Sequence, residues 1–154
     1  MSIEGYTVHY PNDLDGSSLV FDFHSYLSDD TTQNASTVHW HMRDLIEYLQ
    51  KENILHRGGR LLSTTDGCAK QYKCSTAIYL MSMLAVAYNI VVDRALCAPG
   101  HGKSEVDAIN GVDKNTIHRK SMRKVADAAD VSEKNSSLKA HTFTSISGQK
   151  IFPS

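Results

Sequence analysis

The chain has 154 residues, which suits one domain and is long enough to bury a hydrophobic core. Hydrophobic residues make up 41% and charged residues 21%, and no run approaches the roughly 20 apolar residues that span a bilayer. The first ten residues, MSIEGYTVHY, contain neither the basic nor the apolar region of a signal peptide. The sequence therefore predicts an intracellular protein that does not enter a membrane, in the nucleus of a eukaryote or the cytoplasm of a prokaryote.

The net charge is −1 with histidine neutral, so the chain as a whole is not a polycation. Positive charge is concentrated locally in DKNTIHRKSMRK (113–124), where Arg119 and Lys120 are candidate phosphate contacts. A solvated helix face remains an alternative for that segment. The three cysteines, Cys68, Cys74 and Cys97, lack metal-type CxxC spacing, which predicts free thiols in a reducing compartment.

The first predicted elements are a hairpin and a helix. GYTVHY (5–10) and SSLVFDFHSYL (17–27) are rich in strand-forming residues and are separated by turn residues. In the second strand, alternation puts Leu19, Phe21, Phe23 and Ser25 on one face and Asp22 on the polar face. Residues 36–52 have apolar side chains at helical spacing, with Ser36 as the predicted N-cap and Gly58-Gly59 as the stop. His39 and His41 point to different faces of that helix, so a shared metal is not expected.

Strands and helices then alternate. We predict a buried strand at 59–66, a helix at about 73–88, a strand at 90–98 and a helix from about residue 104. The helix at 73–88 is apolar nearly all round, so it should be buried on most sides. The order β-β-α-β-α-β-α predicts an α/β layer fold with one mixed sheet, in which the ends of the strands at residues 66 and 98 lie side by side.

The composition changes after about residue 125. Residues 1–125 are predicted to form the core, and the polar residues 126–154 a C-terminal linker or tail. Within that tail, AHTFTSISGQKIF fits either an edge strand or a segment that becomes ordered with a partner.

Two acids follow predicted strands. Asp66 ends a strand in an Asp-Gly turn, and Asp107 lies near the start of a helix in SEVD. Each has a local explanation: Asp66 can bond the backbone two residues on, and Asp107 can complete a capping box with Ser104. Their separation nevertheless returns the chain to the same end of the sheet, where paired carboxylates favour Mg²⁺ or Mn²⁺. Such ions can activate a water for attack on phosphate.

Several basic side chains lie close to these acids in the sequence. Lys70 and Lys73 are predicted at the start of the second helix, where free backbone N–H groups favour anions. His101 and Lys103 belong to a Gly-His-Gly-Lys turn that lacks full P-loop spacing. These four residues are candidate phosphate contacts.

The residues around both acids resemble a known family. TDGCAKQYK (65–73) is similar to the S/T-D-G-C-A-x-Q-Y/F-K motif of a group of DDE-type transposase-related proteins. Those proteins carry a HGKGPCDGIGG-like motif downstream, and HGKSEVDAING (101–111) resembles it but lacks the family's glycines and cysteine at 104, 106, 108 and 110. The resemblance covers roughly residues 6–125.

The resemblance implies a ribonuclease-H-like fold and metal-dependent cutting and joining of DNA. It makes Asp66 the second catalytic carboxylate and Asp107 the third, with Mg²⁺ or Mn²⁺ as the cofactor. In that fold the first carboxylate lies on a central first strand, which two more strands and a helix follow. This chain has two predicted strands before its first helix, so the first strand is missing. Asp22 and Glu105 are the further candidate metal ligands, although Asp22 also fits an ordinary solvent-facing residue.

Three interpretations remain open at this point, and one of them is a structural α/β domain whose motifs are only caps and turns. The leading hypothesis is a truncated or diverged DDE-type transposase catalytic domain that binds DNA and cleaves phosphodiester bonds with a metal. The alternative is a non-catalytic remnant or domesticated domain that binds nucleic acid or a protein. Because a lost central strand exposes backbone hydrogen-bonding groups, a second copy or another chain is expected to fill the gap unless the hairpin rearranges.

Overall fold

A computed structural model of the chain describes residues 2–12, 16–28, 31–97, 107–108, 111–112, 115 and 139–143. The elements run in the order β1 (Ser2–Pro11), β2 (Leu19–Ser28), α1 (Ala35–Lys51), β3 (Arg60–Thr65), α2 (Ser75–Tyr88), β4 (Val91–Leu96) and β5 (Lys139–Phe143). The chain is therefore mixed α/β, and the predicted order from the first strand to the fourth is confirmed. Residues 107–108, 111–112 and 115 are helical, in the segment where a third helix was expected.

The chain divides into two compact units, Met1–Thr31 with Lys103–Gly148 and Thr32–Gly102 with Gln149–Ser154. The first unit contains the sheet β1-β2-β5 and the second the sheet β3-β4. The expectation of one mixed sheet is therefore wrong for the described strands. One reason is that β5, from the segment expected to be a tail, occupies the second edge of β2.

The hairpin of the first unit is confirmed. β1 and β2 are antiparallel, from Ser2 opposite Ser28 to Pro11 opposite Leu19. The connecting loop is closed by Asn12, whose N–H donates to the Ser18 carbonyl oxygen at 2.9 Å. β5 pairs in parallel with the other edge of β2, so β2 is the central strand and β5 an edge strand.

The burial of β2 departs from simple alternation. Phe21 and Leu19 are exposed near the loop end of the hairpin, although both were expected on the apolar face. From Phe23 to Ser28 every residue is buried, whichever face it lies on. This half of the strand is hydrogen-bonded on both edges, to β1 and to β5, whereas Leu19 and Phe21 lie outside the β5 register.

Helix α1 of the second unit begins and ends earlier than expected. Its N-cap is Asn34, whose Oδ1 accepts from the backbone N–H groups of Ser36 and Thr37 at 2.9 and 3.1 Å. Ser36 is therefore inside the first turn and is not the cap. The helix ends at Lys51, well before Gly58, because Asn53 takes up the left-handed conformation with φ of 59°.

Helices α1 and α2 are joined by packing and by a polar cluster. Ala35 of α1 packs with Ala77 and Leu80 of α2 in a hydrophobic core. At the other end, the Gln50 side-chain amide donates to the Tyr88 carbonyl oxygen at 2.9 Å. The Tyr88 hydroxyl donates to the Glu47 carboxylate, which also pairs with Arg43 one turn earlier at 3.0 Å.

Helix α2 is buried on one face only, which corrects the expectation of burial on most sides. Ala77, Leu80, Met81 and Leu84 are buried, whereas Ile78, Tyr79 and Val86 are exposed. The strand β3 likewise alternates between half-buried and exposed residues, and Leu62 is 68% exposed. The expectation of a buried strand is therefore wrong. Every second residue of β3 is exposed, which indicates that only one face of this sheet is covered.

The strands β3 and β4 are parallel, from Arg60 opposite Val91 to Thr65 opposite Leu96. The Cys97 N–H extends the ladder by donating to the Thr65 carbonyl oxygen at 2.9 Å. The predicted adjacency of the two strand ends is confirmed by this pairing. No helix among the described residues has the length and apolar character needed to cross a bilayer.

Truncating Leu80 should destabilise the fold. Leu80 is 3% exposed and belongs to the core shared by α1 and α2. Leu80→Ala should therefore lower the free energy of unfolding by about 2–5 kcal/mol, since it removes buried apolar area and leaves a cavity. Val86→Ala is the control on the same helix: Val86 is 83% exposed, and its truncation should cost about 0.5 kcal/mol or less. Equal losses in urea denaturation would contradict the one-sided burial of α2.

The Tyr88 cluster predicts a change of stability at high pH. Burial, and then the hydrogen bond to Glu47, raise the pKa of Tyr88 above its usual value of about 10. Folding therefore favours the neutral phenol, so its contribution is fully present below pH about 10 and is lost as the pH rises through the folded-state pKa. Above pH about 10, the free energy of unfolding should fall more steeply for the wild type than for Tyr88→Phe.

The matched control for that measurement is Tyr79→Phe, which removes an exposed phenol from the same helix. It should keep the wild-type pH dependence in urea denaturation. A wild-type dependence that survives in Tyr88→Phe would rule out the cluster as its source.

Candidate functional site at the carboxyl ends of β3 and β4

Asp66 lies directly after β3, and its exposed side chain turns back on the chain. Its Oδ1 accepts a hydrogen bond from the Cys68 backbone N–H at 2.9 Å. This is the local Asx-turn that the sequence allowed as an alternative. Asp66 therefore stabilises its own turn at the end of the strand, whatever else it binds.

Gly67, the next residue, has a crowded Cα. A Cβ built there would lie 3.0 Å from Lys73 Nζ, 3.4 Å from Lys73 Cε and 3.1 Å from the Cys97 carbonyl oxygen. The lysine side chain thus folds back over the turn, and the end of β4 lies against it. Lys73 is exposed and makes no hydrogen bond or ion pair in the described part of the chain.

The segment between this turn and α2 is also turn-like. The Tyr72 N–H donates to the Cys68 carbonyl oxygen at 2.9 Å, and α2 begins only at Ser75. Lys70 and Lys73 therefore precede the helix, whereas the sequence placed them at its start. Cys74 is the N-cap and provides no side-chain cap, so a turn of basic residues leads into an uncapped helix.

The two histidines of α1, His39 and His41, are buried. His39 is 6% exposed and His41 is 2% exposed. His39 also lines a small pocket between α1 and α2 with Gln71 and Arg94, above apolar side chains. Sequence reasoning missed Arg94, which lies 6.0 Å from the centroid of the Tyr72 ring. Arg94 lies two residues after Val92 on β4, so both side chains lie on the same half-buried face of the strand. This alternation was the signal in the sequence that could have identified it.

The other predicted acids belong to the first unit. Asp107 is helical and exposed. Asp22 is half-buried and accepts a hydrogen bond from the Tyr10 hydroxyl at 3.0 Å. Asp66 lies in the second unit, and its convergence with Asp107 stays a prediction.

The remaining predicted contacts lie outside the described residues. They are His101, Lys103, Glu105, Arg119 and Lys120. Within the described ranges, no group of three or more His, Cys, Asp or Glu side chains is arranged to hold a metal ion. Cys68, Cys74 and Cys97 are free thiols, as their spacing predicted.

The described part thus defines a small mixed α/β protein with a polar turn at the carboxyl ends of two parallel strands. The family described as Domain of unknown function (DUF8701) matches residues 6–151, and the chain belongs to that family. No curated protein and no solved structure matches the chain.

Substitutions at Asp66 should separate its turn from its charge. Asp66→Asn keeps an oxygen that can accept from the Cys68 N–H, so the free energy of unfolding should change little. Asp66→Ala removes the acceptor and should lower the free energy of unfolding by about 0.5–1 kcal/mol, as measured by urea denaturation. The same loss in both variants would show that the charge, and not the turn, stabilises this loop.

Proposed function

We propose that this chain is a diverged DDE-type transposase-like domain that binds the phosphodiester backbone of DNA at the carboxyl edge of β3 and β4. The observation that carries the proposal is the Lys73 ammonium, which lies over the Asp66-Gly67 turn at this edge without an ion pair among the described residues. Ligands of α/β sheets bind at the carboxyl ends of strands, where connecting turns leave polar groups exposed.

The first support for the proposed ancestry is the order of the secondary-structure elements and the place of the motif among them. The motif TDGCAKQYK begins on the last residue of β3, and its acid follows the strand directly. The described order hairpin, helix, strand, helix, strand is the order of a ribonuclease-H-like core without its first strand.

The sheets provide a second line of support for the ancestry. A central strand joins the two halves of such a core, so its loss would leave two separate sheets, as in the described strands. β1 then has a backbone edge that no described strand occupies, and so does each side of the β3-β4 pair. Such edges accept a strand from a second copy or from another chain.

Charge supports DNA as the partner. Lys70 and Lys73 are both exposed in the turn before α2, and the ammonium groups can each neutralise one phosphate. The positive end of the α2 dipole lies directly behind them. A chain whose net charge is −1 would bind nucleic acid through such a local basic surface and not through its overall charge.

The described residues fit a catalytic metal poorly. One oxygen of Asp66 accepts the Cys68 N–H, and the Lys73 ammonium lies over the next residue, where it would repel a divalent cation. No group of three potential ligands surrounds Asp66 in the described ranges. Binding without cleavage is therefore the function that this edge supports best.

Metal-dependent cleavage is the second candidate, because Asp66 occupies the strand end where the family resemblance puts its second carboxylate. This candidate needs Asp66 and Asp107 to share a metal, with Glu105 or Asp22 as a further ligand. Its signature would be Mn²⁺-dependent nicking of DNA that depends on the charge of Asp66.

Two assays distinguish these functions. Affinity for a duplex oligonucleotide in EDTA should fall steeply with salt, because bound counterions are released from phosphate. Supercoiled plasmid with Mn²⁺ should stay intact if the domain only binds. Nicking by the wild type that Asp66→Asn abolishes would establish the enzyme instead.

Asp93→Asn is the matched control for nicking, since it removes one exposed carboxylate from β4 that pairs with Arg60 at 3.3 Å. Nicking that both variants reduce equally would point to net charge and not to Asp66, and nicking that neither variant reduces would point to a contaminating nuclease. Absence of both binding and nicking would overturn the proposed function.

A further inference from the structure

Gly67 and Lys73 are six residues apart, and the fold brings them into contact. The Lys73 Nζ lies 3.0 Å from the point where a Gly67 Cβ would be, which is tighter than nine in ten real Cβ contacts. On its other side the same point lies 3.1 Å from the carbonyl oxygen of Cys97. Lysine can withdraw from a new Cβ by rotating its chain, but the Cys97 backbone is tied to Thr65 by a ladder hydrogen bond.

Backbone conformation does not explain a glycine at this position. The left-handed glycines of the described chain are Gly16 and Gly58, and Gly67 is not among them. A side chain at residue 67 is therefore crowded by its neighbours and is not disfavoured by its own φ. Of these neighbours, the ammonium group is the one that can move.

Charge gives the contact a consequence. The Asp66 carboxylate turns toward the Cys68 N–H and forms no ion pair with Lys73, although the two residues flank the same turn. The ammonium thus lies near the strand ends with its charge available to an anion.

We infer that Gly67 is a positioning residue: because it has no side chain, it leaves room for the Lys73 ammonium over the Asp66 turn, as a preformed contact for a phosphodiester oxygen. This inference rests on the proposed DNA binding and names the pair of residues that prepares it. It requires no metal, so it can be tested in EDTA.

The test is a double-mutant cycle on the full chain, with a fluorescent duplex oligonucleotide titrated in EDTA at several salt concentrations. Lys73→Gln should weaken binding and reduce the slope of log affinity against log salt by about one, the value expected for one lost phosphate contact. Gly67→Ala should also weaken binding, because the new Cβ displaces the ammonium. In the Gly67→Ala background, Lys73→Gln should then cost less than half of its effect on log affinity in the wild type.

Two variants control for charge and for the glycine substitution. Lys51→Gln removes one exposed charge from the last turn of α1, and Gly111→Ala adds a methyl group where no atom lies within 4 Å. Both should bind as the wild type does. Circular dichroism and urea denaturation establish that all five variants are folded.

Each outcome of the double-mutant cycle tests one part of the inference. Additive losses from Gly67→Ala and Lys73→Gln would overturn the positioning role while leaving DNA binding intact. A salt slope unchanged by Lys73→Gln would overturn the phosphate contact itself. If the wild type binds no duplex at any salt concentration, the proposed function fails, and the inference fails with it.

Discussion

The parallel pairing of β3 with β4 is the constraint on which the second unit depends. Parallel strands cannot be joined by a tight turn, so the chain must cross over the sheet, and α2 is that crossover. The crossover brings the turn after β3, the start of α2 and the end of β4 to one edge. Gly67, Lys73 and Cys97 therefore lie close together there because of the topology, although Cys97 is far from the other two in sequence.

Local sequence signals predicted the elements well and their environment less well. The hairpin, α1, β3, α2 and β4 follow from periodicity and turn residues, because these report on backbone conformation directly. Burial depends on what lies opposite, and an apolar helix such as α2 cannot report how many layers cover it. For the same reason the sequence predicted one sheet, since no local pattern indicates that β5 pairs with β2.

At the candidate site, too, local conformation was predictable from the sequence, whereas contacts made by folding were not. Asp66 was predictable because an acid that ends a strand before glycine has few conformations, and its local turn was among the alternatives considered. The position of the Lys73 ammonium near Gly67 was not predictable, because it depends on how the lysine side chain runs back toward a residue six positions earlier. Arg94 was missed because a strand arginine is normally assigned to solvent, and its proximity to Tyr72 requires the folded turn.

The pairing of β5 with β2 also has a consequence for the order of folding. The second unit is built almost entirely from one continuous stretch of chain, whereas the first unit closes only when its last strand arrives from near the carboxyl terminus. During synthesis, β1 and β2 are therefore complete long before β5 exists, and one edge of β2 waits unpaired. Contacts between strands so distant in sequence form slowly, so this nascent hairpin is exposed to mispairing with other chains until β5 is made.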